Sequence, residues 1–321
     1  INTDRLAMGA AGAVAASSGI VTVRTATAGR AIDLGSAVDA ANALEISDAE
    51  LDRIFAPNLL VGATDSGPVN VTANISPLNA LDFIVRSGTD ITVSALLQAT
   101  ALSLRAGDDI FLSAASEVIT GSFTSFVDVN GGDLGRGGRF TANGSMTATS
   151  IMVTGQAESD RLSGTSSGDI LKGLGSVDLL YGWDGNDTLE GGTGADVMAG
   201  HLGDDLYLVD NGSDAVFEGS GEGNDTISST VSYTLQEGLH VETLRAAVPA
   251  ATTAISLTGN SLENSIEGND GANVLRGNDG SDSLSGLGGN DRLYGGATTD
   301  FLSGGGGDDM AIVLEGENAD N

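Results

Sequence analysis

A nine-residue period is the feature that most constrains this chain. From Gly155 six lines follow without a gap: GQAESDRLS, GTSSGDILK, GLGSVDLLY, GWDGNDTLE, GGTGADVMA and GHLGDDLYL. Each opens on glycine and carries aspartate sixth, at Asp160, Asp169, Asp178, Asp187, Asp196 and Asp205. The eighth places hold Leu162, Leu171, Leu180, Leu189, Met198 and Tyr207. A second array runs from Gly259: GNSLENSIE, GNDGANVLR, GNDGSDSLS, GLGGNDRLY, GGATTDFLS and GGGGDDMAI. Its sixth places are Asn264, Asn273, Asp282, Asp291, Asp300 and Asp309. One large apolar residue in nine cannot offset a backbone entropy cost of about 1–2 kcal/mol per residue, and aromatics are only 4% of the chain. Stacking of identical units must therefore be joined by another source of folding free energy.

The unit itself indicates what that source is. Six glycine-rich residues make a turn, since glycine accepts positive φ without steric cost. Three further residues make a strand whose central side chain points inward. Two units complete a coil of 18 residues, so Asp187 stacks over Asp205 and Asp178 over Asp196. Carboxylates one strand spacing apart, roughly 4.8 Å, repel unless a cation lies between them. The available donors are oxygens, with no cysteine in the chain, and calcium accepts six or more oxygens in an irregular cage. Zinc and copper sites favour nitrogen or sulfur ligands. The folding switch expected here is several calcium ions.

The arrays resemble the parallel β-rolls of RTX nonapeptide-repeat proteins, which are secreted or surface proteins. That resemblance implies a ligand set. Each ion takes carbonyls at positions 2 and 4 plus the aspartate of one turn, and carbonyls at positions 1 and 3 plus the aspartate 18 residues later. Carried over, one site joins Trp183, Gly185 and Asp187 to Gly200, Leu202 and Asp205. Another joins Leu287, Gly289 and Asp291 to Gly304, Gly306 and Asp309. Asn278 and Gly280 with Asp282, and Gly295 and Ala297 with Asp300, form a third, and Gly191 and Thr193 serve beside Asp196. Position 4 departs from glycine at Glu158, Ser167, Ser176, Leu262 and Thr298, which strains the turn, and Asn264 and Asn273 bring no charge. Weak or empty sites are expected there. Between the arrays, Val209–Thr258 holds one unit out of frame, SGEGNDTIS with Asp225 sixth, and otherwise alternates like strands.

The first half carries no aspartate code. It is a string of short β-type runs in which RSGTDITVSA (86–95) and RAGDDIFLSA (105–114) align at an offset of 19. Phe83 and Val85 map onto Leu102 and Leu104 at the same offset. Leu59/Val61 and Val69/Val71 map onto Phe83/Val85 and Ile91/Val93 at 22–24 residues, through a turn insertion around Ser76–Ala80. A period of 19 beside one of 18 indicates an all-β fold, a parallel β-solenoid in which a β-helix continues into β-rolls. A β-sandwich of irregular strands is the alternative. DAELDRIF (48–55) reads as helical, or as a coil edge covered by Leu51 and Ile54. This half resembles the β-helical repeats of filamentous-haemagglutinin-like adhesins. The expected divisions are 1–154, 155–208, 209–258, 259–312, and a further segment from 313 to 321.

Composition narrows the function. A formal charge of −31, concentrated in the second half, disfavours nucleic acid and anionic membranes and suits multivalent cations. No apolar run is long enough for membrane insertion. Leu6–Ala16 lacks the basic start of a signal peptide, and an opening Ile suggests a segment of something longer. No HExxH, GxSxG or phosphate loop occurs. The two histidines, His201 and His240, sit on a turn and in the linking block. Asp108–Asp109 and Asp48/Glu50/Asp52 read as solvated edges, so no enzyme is expected. The expected function is a calcium-binding structural segment of a large exported surface protein of a Gram-negative-type bacterium. It would serve as adhesin stalk, surface layer or filament, self-associating by its edges and open to cell-surface glycans. The alternatives are a calcium-dependent secretion module of an enzyme whose catalytic domain lies elsewhere, and a glycan-gripping adhesin.

Overall fold

The computed structural model describes residues 14–16, 19–35, 43–76, 80–113, 116–127, 139–142, 145–147, 151–155, 159–312 and 318–320. Short parallel strands, stacked coil on coil, make it a β-solenoid. The chain divides into two compact units, 1–178 and 179–321.

In the first unit one sheet stacks Ile20–Val23, Ile54–Gly62, Ala80–Arg86, Leu96–Arg105 and Glu117–Phe126, and then Ile151–Thr154 and Ile170–Gly175. A second sheet stacks Ala31–Leu34, Val69–Val71, Ile91–Val93, Ile110–Leu112, Arg139–Ala142 and Arg161–Ser163. The register is the one that the offsets required. Leu59 and Val61 pair with Phe83 and Val85, these with Leu102 and Leu104, and Val69 and Val71 with Ile91 and Val93. All ten of these side chains are buried, because alternate residues of a strand face one side. The helix shrinks to Asp48–Leu51. Its Glu50 carboxylate accepts from the Ser47 amide and hydroxyl at 2.9 Å each, a cap at the first turn. Leu51 covers the coil edge, and Ile54 already begins a strand.

In the second unit one sheet runs through Thr188–Thr193, Leu206–Val209, Thr226–Ser229, Thr243–Ala246, Ser265–Glu267, Ser283–Ser285 and Phe301–Ser303. The opposite side is built first by Leu179–Asp184, Val197–Leu202 and Ala215–Phe217. Tyr233–Thr234, Ser256–Thr258, Val274–Asn278, Arg292–Gly296 and Met310–Ile312 make a separate stack. The strands of 209–258 pair within these same sheets, so the linking block continues the coil. The core is one residue deep per unit, as at Leu275, Leu284, Leu293 and Leu302, all fully buried. Among the described residues no helix is long and apolar enough to cross a membrane.

Candidate metal centres

Each turn hands its sixth residue to the coil after it. The backbone N–H of Asp160 donates to Asp178 Oδ1 (2.7 Å), Asp187 to Asp205 (2.7 Å), Asp282 to Asp300 (2.8 Å) and Asp291 to Asp309 (2.9 Å). Asn264 and Asn273 donate likewise to Asp282 and Asp291, at 2.8 and 2.7 Å. These are the 18-residue stacks that the period required. One carboxylate oxygen is thereby committed to the backbone.

The other oxygen lies over the opening glycine of its own unit. A Cβ built on Gly182, Gly191, Gly200, Gly277, Gly286, Gly295 or Gly304 would overlap Oδ2 of the aspartate five residues on. Position 1 is therefore glycine for room, and not for its φ. The same imaginary Cβ places the Gly295 carbonyl beside Asp282 Oδ2, and the Gly304 carbonyl beside Asp291 Oδ2. Oδ2 of Asp205, Asp282, Asp291 and Asp300 is buried and receives no hydrogen bond. A buried anionic oxygen facing a carbonyl, with no donor between them, is costly unless a cation joins them. An all-oxygen set of this kind fits calcium.

Where asparagine replaces aspartate, the amide takes the cation's place. Asn273 Nδ2 donates to Asn269 O (2.8 Å) and to Gly286 O (3.2 Å), the position-1 carbonyl that elsewhere faces a carboxylate. Asn264 Nδ2 donates to Val241 O (3.0 Å), and its Oδ1 accepts from the Asn260 amide (3.0 Å). Asp169 is also spoken for, since Oδ2 accepts from the Thr165 amide and hydroxyl at 2.6 and 3.0 Å. The first coil of the second array thus closes on neutral amides.

Turn conformation follows the same divide. Positive φ recurs at position 2 (Leu174, Trp183, Gly192, His201, Asn278, Leu287, Gly296, Gly305) and at position 4 (Ser176, Gly185, Gly203, Gly280, Gly289, Thr298, Gly307). Neither position has positive φ in the units beginning at Gly164, Gly259 and Gly268. Ser167 and Leu262 thus coincide with a lost turn, and Glu158 lies outside the described residues. Ser176 and Thr298 hold the left-handed turn at φ 78° and 86° despite their side chains, and Thr298 Oγ1 donates to Gly280 O at 2.6 Å. Among the carbonyls expected as ligands, those of Leu202, Leu287 and Asn278 accept amides of adjacent coils, from Gly185, Gly306 and Ala297 at 2.7–2.8 Å. Trp183, half-exposed at position 2, stacks with His201 one coil later at 5.0 Å between ring centroids.

The RTX calcium-binding nonapeptide repeat model matches four times, over residues 154–189, 184–216, 258–293 and 276–311. The two arrays are RTX repeats. RTX nonapeptide repeats bind calcium, and the buried carboxylates supply ion sites that fit it. No curated protein matches the chain.

The RTX ladder also holds residues that reading the sequence in frames missed. Asp214 accepts from the Asp196 amide at 3.1 Å; its unit, Val209–Phe217, opens on valine instead of glycine, which hid it. The nine-residue step from Asp205 to Asp214 was the available signal. Asp225 takes the next place on the other edge, accepting from the Asp205 amide at 2.9 Å across a 20-residue coil. Glu242 follows it, accepting from the Asp225 amide at 2.7 Å. No period signals Glu242, because its longer side chain makes up for a coil of different length. Burial raises the pKa of Asp205, Asp214, Asp225 and Asp282. Asp205 and Asp282 are pushed up to about 7 and Asp225 to about 6, chiefly by desolvation and then by neighbouring acids, against backbone hydrogen bonds that lower them.

Proposed function

We propose that this chain is a calcium-binding structural segment of an exported surface protein, a stalk, surface layer or filament that folds and stiffens when calcium is met outside the cell. The observation that carries this reading is the row of buried aspartate oxygens without donors, recurring at coil spacing inside RTX arrays. Such a row destabilises the calcium-free fold and rewards the loaded one, so ion binding becomes folding free energy. The sites best supplied are Trp183, Gly185 and Asp187 with Gly200, Leu202 and Asp205; Asn278, Gly280 and Asp282 with Gly295, Ala297 and Asp300; and Leu287, Gly289 and Asp291 with Gly304, Gly306 and Asp309. Gly191, Thr193 and Asp196 supply oxygens of the same kind within the second unit. Asp160 and Asp169 lie in the least regular units. The β-helical coils of 1–154 serve as a spacer that needs no ion, and stacking edges invite self-association.

Circular dichroism and sedimentation velocity across roughly 10⁻⁴–10⁻³ M calcium, the range of extracellular calcium modules, test the reading. The expected result is a gain of β signal with contraction to a compact species, or assembly into large ones. An unchanged spectrum and sedimentation coefficient would remove calcium as the switch.

A further inference from the structure

At the exit of the first array two repeat positions depart together. Position 8, elsewhere leucine or methionine in that array, is Tyr207, and its hydroxyl oxygen accepts from the Gly200 amide at 2.5 Å. One coil on, the residue after the Ala199–Phe217 pair is Glu218, in the lane that Gly182 and Gly200 keep clear. The Tyr207 hydroxyl donates to Glu218 Oε1. Asp205, Glu218 and Asp225 each offer an oxygen, all within 4.8 Å of one another. The three residues are 2%, 7% and 1% exposed. Oδ2 of Asp205, Oε2 of Glu218 and Oδ2 of Asp225 are buried with no hydrogen-bond partner.

We infer that Asp205, Glu218 and Asp225, with the Tyr207 phenol oxygen beside them, form an interior site for one calcium-class divalent cation that is distinct in make-up from the turn sites. The turn sites pair two aspartates with backbone carbonyls and need glycine at position 1. Here a side chain occupies that lane and brings a third carboxylate, so the ligands are side chains drawn from three segments. Three buried acids without a basic partner in the cluster repel one another, and orphaned oxygens on all three mark where compensating charge is lacking. Oxygen-only donors in an irregular arrangement favour calcium over the strict octahedron of magnesium and over zinc, which favours nitrogen and sulfur. The site sits where the coil lengthens from 18 to 20 residues. It would pin the linking block to the first array at the place where the nonapeptide frame is lost. It shares Asp205 with a turn site and otherwise does not depend on the turn sites.

The test counts calcium ions bound by the full chain at saturation, by equilibrium dialysis, in the wild type, Glu218→Gln and Asp291→Asn. Glu218→Gln keeps the shape of the side chain and removes its charge. One ion fewer in Glu218→Gln, with the remaining affinities unchanged and Asp291→Asn losing a different ion, is the expected result. An unchanged count and unchanged affinities in Glu218→Gln overturn the inference while leaving the arrays calcium-bound. A wild type that binds no calcium overturns the reading of the arrays as well. If Glu218→Gln does not fold, Tyr207→Phe, which returns an apolar side chain to position 8, replaces it. With terbium as probe, it should lose tyrosine-sensitised emission and bind one ion severalfold more weakly. Identical emission and titration curves would also sink the site.

Discussion

Coils of residues 54–112 and coils of residues 259–312 follow nearly the same path, yet they are stabilised differently. Between Leu59 and Leu112 each coil buries several large apolar side chains on two sheets, such as Phe83, Val85, Ile91, Val93 and Leu97. Between Gly277 and Leu302 each unit buries one leucine and one aspartate. The hydrophobic coils carry their own driving force, at about 25 cal/mol per Å² of apolar surface removed from water. The RTX coils replace much of it with an ion site. A parallel coil is thus compatible with either source, and on the proposed reading the choice decides whether calcium can switch folding.

Calcium removal should separate the two regions most. With a chelator, amides of 277–303 should lose hydrogen-exchange protection on the order of a thousandfold, the scale on which a tightly held ligand shifts stability, while amides of 82–105 keep theirs. Equal loss in both regions would break the comparison.

Phe83→Ala is the next largest effect. It should cost about 3–5 kcal/mol in urea unfolding of the hydrophobic coils, to the same extent with and without calcium. A cost that vanishes in chelator would mean that these coils also wait for the ion.

The response to pH should sharpen the contrast. Asp205 and Asp282, pushed up to about 7 by burial, and Glu218, pushed up to about 8 by burial against the Tyr207 hydrogen bond, hold protons in the calcium-free fold that an unfolded chain has released. Folding without calcium therefore takes up protons. Its contribution is fully present below the ordinary carboxylate range of about 4 and is lost as pH rises through 7–8. Calcium must displace those protons, so its affinity should rise over the same window, on the order of tenfold between about pH 6 and about pH 8. Calorimetric titrations at the two pH values, with proton release followed in buffers of different ionisation heat, would check this. The coils of 82–105 should show no such dependence.

The smallest effect concerns the turns. Ser176→Gly should stabilise the calcium-loaded protein by about 1 kcal/mol, because the left-handed backbone is costly for a residue with a Cβ. Thr298→Gly should gain less, since it forfeits the hydroxyl bond to Gly280 O. Thermal melts in calcium would order the two.

Much of this was legible before any coordinates. An 18-residue coil and the pairs Asp187–Asp205 and Asp291–Asp309 follow from counting, because side-chain stacking in a solenoid is a matter of period. Phe83 over Leu102 follows for the same reason. Glu218 and Glu242 did not, since each lies where the frame slips and position no longer encodes place, and Asp214, still in frame, was hidden by the valine that opens its unit. The glycine at position 1 was visible, but its reason was not. It guards the space of a carboxylate five residues away, a contact that only the folded turn creates.

What the sequence determined by itself, then, is the architecture: a short period with one inward residue per strand admits only stacking, and aspartates at that period demand a hard cation. What the tertiary structure decided is which oxygens are left without a donor. Burial of Asp205 Oδ2, the amides of Asn264 and Asn273 standing where an ion would sit, and the meeting of Tyr207, Glu218 and Asp225 all depend on coil lengths and side-chain reach. Hydrogen bonds act over about 3 Å, and no repeat unit specifies positions that finely where the count departs from nine.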